Sequence, residues 1–356
     1  MELIFEKTSM MKEAMDLLSV AVNTDESEWR KVLQDLEKMG GDMEEGIALQ
    51  RELLEAAGRI RVTDQMSRYF EWYRKKGQGS PACSLIRTFQ AENTDTFREL
   101  KEKVLDGLSA FPLDAFPDFS SYDVQDMALP LEGERGSFLS SVKKLDVDEK
   151  FKARLIFAFQ DPEGSLDELG GLLEQAAGLL EPFRERMEAE TVKGEERWKK
   201  YFASHDLDGF LSLIGVSLDS SGCSGIRIRW NVVQGVTLVL QIGDENRSGI
   251  LNAGMGVLID EKSLRFLKRG NEREALQLLA DPVKLDILLY ISQVPHYGRE
   301  LAERFGLSTA TISYHMQDLL NKGLVSVSQQ GKRVYYSLDR DRIRQVLEWL
   351  QRVLLQ

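Results

Sequence analysis

Apolar residues recur at helical spacing through much of the N-terminal half, in stretches whose outer positions are rich in Glu, Lys and Arg. The pattern predicts helices over residues 10–20, 26–39, 43–57, 63–75 and 94–110. A longer one starts at Ser165. Leu166, Leu169, Leu172, Leu173, Ala176, Leu179, Leu180, Phe183 and Met187 form one buried face, kinked near Pro182, whose nitrogen cannot donate a helical hydrogen bond. No flanking charge pattern selects a dimer seam over packing within the chain.

Two stretches break this period. Residues 111–121 carry two prolines and three phenylalanines, which predicts an ordered loop pinned by aromatics, and residues 130–136 extend it. Such a loop serves either as a ligand-lining lid or as a packed connector, and the connector is favoured. Residues 225–233 and 236–242 alternate apolar and polar positions around Gln234-Gly235, which predicts a β-hairpin. Residues 248–259 supply a third strand or turn, and residues 2–6 an added strand. Gly249, Gly254 and Gly256 lack the spacing of a phosphate-binding loop. Residues 263–279 return to helix, interrupted at Gly270.

The most informative pattern lies at residues 297–325. Leu301, Ala302 and Phe305 stripe one short helix; Ile312, Met316, Leu319 and Leu320 stripe a second. Gly306 can take the positive φ that ends the first helix, and Ser308 is suited to cap the second. This is the pattern of a helix-turn-helix. Asp281-Pro282 opens a preceding helix with Val283, Ile287, Leu288 and Ile291 on its apolar face. Gly323 caps the second motif helix. Residues 324–328 and 333–338 then alternate as two strands, a wing. A terminal helix over residues 339–355 aligns Ile343, Val346, Leu347, Leu350, Val353 and Leu354.

The expected fold class is therefore α+β and mainly helical. An N-terminal helical domain with a small β-hairpin or sheet (residues 1–270) precedes a C-terminal winged helix-turn-helix (residues 271–356), docked rather than tethered because no Pro- or Ser-rich linker divides them. Charge fits this division. The net charge is −12, yet residues 271–356 carry 11 Lys/Arg and 10 Asp/Glu, leaving −13 on the first 270. An acidic N-terminal region should face away from any phosphate backbone. Cys83 and Cys223 stand far apart with no metal-binding spacing, so both are expected to be reduced, structural thiols. Residues 1–7 are too acidic for a secretory signal, and no apolar run reaches the roughly 20 residues of a membrane span. The expected location is cytoplasmic, without membrane contact.

Residues 274–338 resemble the ArsR family of bacterial winged-helix repressors. The resemblance rests on Leu279-Ala-Asp-Pro-Val-Lys-Leu-Asp-Ile-Leu288, Glu300-Leu-Ala302, Leu307-Ser-Thr-Ala-Thr-Ile-Ser-Tyr-His-Met316, Gly323-Leu-Val325 and Gly331-Lys-Arg-Val-Tyr-Tyr336. The N-terminal region more weakly resembles that of a subgroup with an uncharacterised helical domain in front. Lys284 stands where the family more often has Arg. Residues 299–305 lack the cysteines of the metal-sensing members. With only His296 and His315 as strong donors in the module, no metal or other cofactor is expected.

Helical geometry turns Ile312, Met316 and Leu319 inward and Tyr314, Gln317 and Asn321 outward, with Thr311 and Ser313 on the flanks. Gln317 suits an adenine edge, and Thr309 and Ser313 suit bases or phosphates. Asp318 would repel phosphate and is left out. His315 matches a histidine frequent in the family, implying a structural or phosphate-contacting role; nothing nearby in sequence makes it catalytic. Lys332 and Arg333 in the wing complete a DNA-binding set of Thr309, Thr311, Ser313, Tyr314, His315, Gln317, Lys332 and Arg333. Tyr335 and Tyr336 are assigned to wing packing.

These features predict a sequence-specific transcriptional regulator, a repressor, that binds double-stranded DNA as a homodimer. The resemblance implies dimerisation through the helix before Asp281 and the terminal helix. Residues 1–270 would sense a small-molecule or protein effector. Two alternatives belong to other classes: a winged helix used only for protein contacts, and an enzyme fused to a DNA-binding module. Against the enzyme, the N-terminal region offers one histidine, His205, and no recognisable nucleophile, phosphate loop or metal spacing.

Overall fold

The computed structural model describes the chain except residues 24–29, 31–32, 35, 38–42, 74–78, 120–128, 130, 132–133, 146, 215, 218–222, 242–249, 265–271, 331–332 and 355–356. Strand β1 (Glu2–Glu6) leads into α1 (Met10–Asn23), whose residues from Met10 to Val20 are all buried. Then follow α2 (Glu44–Gly58), α3 (Asp64–Phe70), α4 (Pro81–Arg87) and α5 (Phe97–Ala110). Thr63, Ser80 and Thr96 each accept a backbone N–H as N-caps, which fixes where α3, α4 and α5 begin. Most of the helix expected at 26–39 lies outside the described residues. The one expected at 63–75 is shorter: α3 ends at Phe70, because Glu71 turns to extended backbone at ψ 124° and the Trp72 N–H donates to Asn23 Oδ1 at 2.7 Å, while residues 74–75 lie outside the described residues.

Short strands β2 (Phe116–Pro117) and β3 (Arg135–Gly136) pair across the aromatic loop. Phe116 and Phe119 are buried, and Phe138 lies 5.5 and 5.3 Å from their rings, so this part of the loop is a packed connector. Helices α6 (Phe138–Lys144) and α7 (Glu149–Gln160) follow. The long stripe forms α8 (Pro162–Leu180), a 3-10 turn (Glu181–Phe183) and α9 (Arg184–Phe202). The break falls at Pro182 as expected. Leu179, placed on the buried stripe, is 46% exposed: α8 turns it away from the core that takes Leu173, Ala176 and Leu180.

After α10 (Leu207–Ile214) come β4 (Val216–Ser217), β5 (Gly225–Asn231), β6 (Leu238–Gln241) and β7 (Ile250–Gly256). The expected hairpin between residues 225–233 and 236–242 does not form. The sheet order is β1-β5-β7-β6, with β7 parallel to β5 and antiparallel to β6. Two physical reasons stand out. A two-residue hairpin turn needs positive φ, and among the described glycines only Gly306 and Gly323 have it, so Gly235 cannot make that turn. Strand β7 is buried along nearly its whole length, and a strand covered in that way belongs at a sheet centre. The segment after β5 folds onto Gly256 instead, where an added Cβ would come within 2.3 Å of the Gly235 backbone. The buried Glu13 carboxylate of α1 accepts hydrogen bonds from the amides of Val232 and Val233, at 3.1 and 2.8 Å. Lys12 and Arg87 reach Asp16 at 2.9 and 3.2 Å, so these buried charges are paired.

The C-terminal part comprises α11 (Glu272–Ala280), α12 (Pro282–Ile291), β8 (His296–Tyr297), α13 (Gly298–Phe305), α14 (Thr309–Asn321), β9 (Val325–Gln330), β10 (Arg333–Leu338) and α15 (Arg340–Leu354). It has its own core of Ile287, Leu288, Ile291, Leu301, Ile312, Met316, Leu319 and Val346. The expected domain division at 269–271 falls outside the described residues. Contact between the two parts is nonetheless explicit. Strand β4 pairs parallel with β9, Val216 opposite Val327, giving a second sheet of order β4-β9-β10-β8. Val327 is buried in the same apolar cluster as Trp198 and Trp230, while Leu320 and Tyr336 touch both cores. No helix among the described residues is long and apolar enough to cross a membrane.

Candidate nucleic-acid interface

Gly306 ends α13 at φ 64°, in the left-handed region that a Cβ disfavours. Leu307 then bonds back to the Ala302 carbonyl, and Ser308 accepts the Thr311 N–H at 3.0 Å to start α14. At the other end of α13, the Glu300 carboxylate accepts the Tyr297 N–H at 3.2 Å and lies 3.1 Å from His296 Nδ1. The bonds at Leu307 and Ser308 define the turn between the two motif helices, and those of Glu300 define where α13 begins. Ile312, Met316 and Leu319 are fully buried, which turns the opposite face of α14 outward.

On that face Thr309, Tyr314 and Gln317 are exposed, while Thr311, Ser313 and His315 are half-buried. The Gln317 side-chain amide donates to Asn321 Oδ1 at 2.8 Å, which holds the outer end of the row in one orientation. The Thr311 hydroxyl lies 3.0 Å from Ser308 Oγ and is committed to the cap. Arg333 is exposed at the start of β10, its guanidinium 4.6 Å from the centre of the Tyr297 ring. Lys332 lies outside the described residues. Tyr335 packs edge-on against Tyr297, and Tyr336 is partly buried between the two cores, so both tyrosines serve packing.

Two residues gain roles that the sequence alone did not give them. The ammonium of Lys284, on α12, is buried 3.2 Å from Asp318 Oδ2 and 3.7 Å from Asp281 Oδ2. Asp281 caps α12 by accepting the Lys284 N–H at 2.9 Å, a bond that also pulls its carboxyl below the usual range. Arg342, 4% exposed, donates to the Lys322 carbonyl at 3.2 Å and lies 3.7 Å from Glu272, tying α15 and α11 to the end of α14. Burial, then the Lys284 cation, pushes the His315 imidazole down from its ordinary value, against Asp281 and Asp318. Its Nδ1 is buried with no partner among the described residues. No cluster of three or more His, Cys, Asp or Glu suited to a metal is found among the described residues.

The apolar face of α15 divides. Val346 is buried, but Leu347, Val353 and Leu354 are 52%, 52% and 68% exposed. Val283 and Leu289 on α12 are exposed as well, at 39% and 59%. The expected face of α12 is thus correct at Ile287, Leu288 and Ile291 and incorrect at Val283, which points away from the core.

Comparison with known proteins matches residues 281–327 to the family described as "Bacterial regulatory protein, arsR family". A probable mercury resistance operon repressor of Streptomyces lividans is 34% identical over 18% of this chain and 52% of its own length. The regulator NmtR of Mycobacterium tuberculosis is 34% identical over 20% of this chain and 61% of its own. The chain thus spans between half and two thirds of these relatives. Among solved structures, NolR from Sinorhizobium fredii is 28% identical, covering 23% of this chain and 82% of its own, with a TM-score of 0.20. Residues 281–327 of this chain are an ArsR-family helix-turn-helix domain.

Proposed function

We propose that the chain is a sequence-specific transcriptional regulator that binds double-stranded DNA as a homodimer and acts as a repressor. Residues 271–356 form the DNA-binding domain, and residues 1–270 sense a ligand or protein partner. One observation carries this proposal: the exposed face of α14 is polar, with its only carboxylate, Asp318, held by a buried lysine. Uncharged polar groups can read base edges without repelling phosphate. The family match over residues 281–327 supports the same class of partner. The exposed leucines and valine of α15 support association of two copies, which would set two copies of α14 about 34 Å apart.

Contacts are assigned to Thr309, Ser313, Tyr314, His315 and Gln317 on α14 and to Lys332 and Arg333 in the wing, with Thr311 supporting the helix start. The test is selection of binding sites from a random duplex library, followed by titration of the winning site at several salt concentrations. A palindromic site is expected. The Lys332→Ala, Arg333→Ala double variant should bind more weakly and lower the salt slope by about 2. Unchanged slope and affinity would remove the wing from the interface, and no enriched sequence at all would overturn the DNA-binding proposal.

A further inference from the structure

Asp318 presents a difficulty for any anionic ligand of α14. It lies one residue past Gln317 and three past His315, and its side chain is 29% exposed. A free carboxylate there would oppose phosphate. The structure removes it from play through Lys284, whose side chain is only 9% exposed although it carries a charge. The ammonium sits 3.2 Å from Asp318, 3.7 Å from Asp281 and 5.7 Å from the centre of the Tyr314 ring. Each partner matters differently. Asp281 fixes the first turn of α12, Asp318 belongs to α14, and Tyr314 stands on the exposed face of α14. One buried cation therefore joins the start of one helix to the middle of another.

We infer that Lys284 is the positioning residue of α14. It holds that helix at a fixed rotation against α12 and withdraws the Asp318 carboxylate from the face that meets DNA. This inference rests on the DNA-binding proposal. Lys284 itself is too enclosed to touch a duplex, so it acts through Asp318 and Tyr314. A buried cation left with one carboxylate, or a carboxylate left with none, must rehydrate or move. The cheapest movement is rotation of Asp318 toward solvent, which here is also toward the ligand.

The test compares wild type with Lys284→Met, Asp318→Asn, the double variant and Lys284→Arg, on the site selected above. Methionine keeps the unbranched apolar stem and removes the charge, and circular dichroism checks that each variant is folded. Lys284→Met is expected to bind DNA on the order of tenfold more weakly, because it frees a carboxylate beside phosphate. Adding Asp318→Asn should restore affinity to within about threefold of wild type, since the carboxylate on α14 is then gone and Asp281, on α12, keeps its cap bond from the backbone N–H of residue 284. Lys284→Arg keeps a cation between the two carboxylates and should also stay within about threefold. A lysine that served only packing would give equal losses in the single and double variants, and that result overturns the inference. So does wild-type affinity in Lys284→Met. If instead wild type selects no DNA sequence, the DNA-binding proposal itself fails and this inference falls with it, a distinct outcome.

Discussion

Val327→Ala tests whether the wing and the N-terminal core unfold as one unit. Val327 belongs to the wing strand β9, yet it is only 5% exposed and lies in the apolar cluster that contains Trp198 and Trp230. Beside it the backbone of β4 pairs with β9. The substitution leaves that backbone pairing intact and removes two methyl groups. At about 0.8 kcal/mol for each buried carbon, with a further contribution from the cavity left behind, the loss comes to about 2 kcal/mol. Four of the five tryptophans precede residue 231, so with Trp349→Phe as background the fluorescence reports the N-terminal region alone. Urea unfolding followed by this fluorescence should shift to a lower midpoint at unchanged slope, by the equivalent of about 2 kcal/mol. Val353→Ala, at a site 52% exposed, should change stability by less than about 0.5 kcal/mol. If the tryptophan transition stays in place in Val327→Ala while far-ultraviolet circular dichroism shows an earlier partial loss, the wing unfolds by itself. The coupling deduced from the shared cluster would then be wrong.

Gly306→Ala isolates a backbone cost, because an added Cβ meets nothing within 4 Å while φ is 64°. It should destabilise by about 1–2 kcal/mol, and Gly306→Asn by less; equal stability of Ala and Gly would contradict the left-handed turn. Leu347→Glu with Leu354→Glu places charge on the exposed face of α15. Sedimentation should show a monomer of unchanged circular dichroism, and a persistent dimer would move the interface elsewhere. For His315 the folded value lies below the unfolded one, so the unfolded chain binds the extra proton. Stability contributed by keeping this imidazole neutral is full above the ordinary value of 6.5 and falls as pH drops through it toward the lower folded value. The groups facing the ring are Asp281 and Lys284 from α12 and Tyr314 and Asp318 from its own helix. His315→Gln should flatten the difference in melting temperature between pH 7.5 and pH 5.5, and an unchanged difference would assign the acid loss to other groups.

The sequence by itself determined every feature written in local physics. The Gly306 turn, the Ser308 and Asp281 caps, the break at Pro182 and the alternation of β9 and β10 each depend on residues within about one turn of one another. The inward set of α14 followed from helical period alone, and the outward set followed from the inward one. Strand existence in the N-terminal sheet was legible, but strand order was not. Alternation says that a segment has two faces, not which neighbour lies beside it, so β7 could enter between β5 and β6 without contradicting any local signal. The exposure of Leu179, Val283 and Leu347 was also undetermined, because period marks a stripe without saying how much of it a neighbour covers. Pairing across distance was decided only by the tertiary structure. Lys284 and Asp318 stand 34 residues apart, and Val216 and Val327 farther still. Neither pair shares a local pattern that could announce it. Both exist because two elements with independently determined faces were brought together by burial of the residues beneath them.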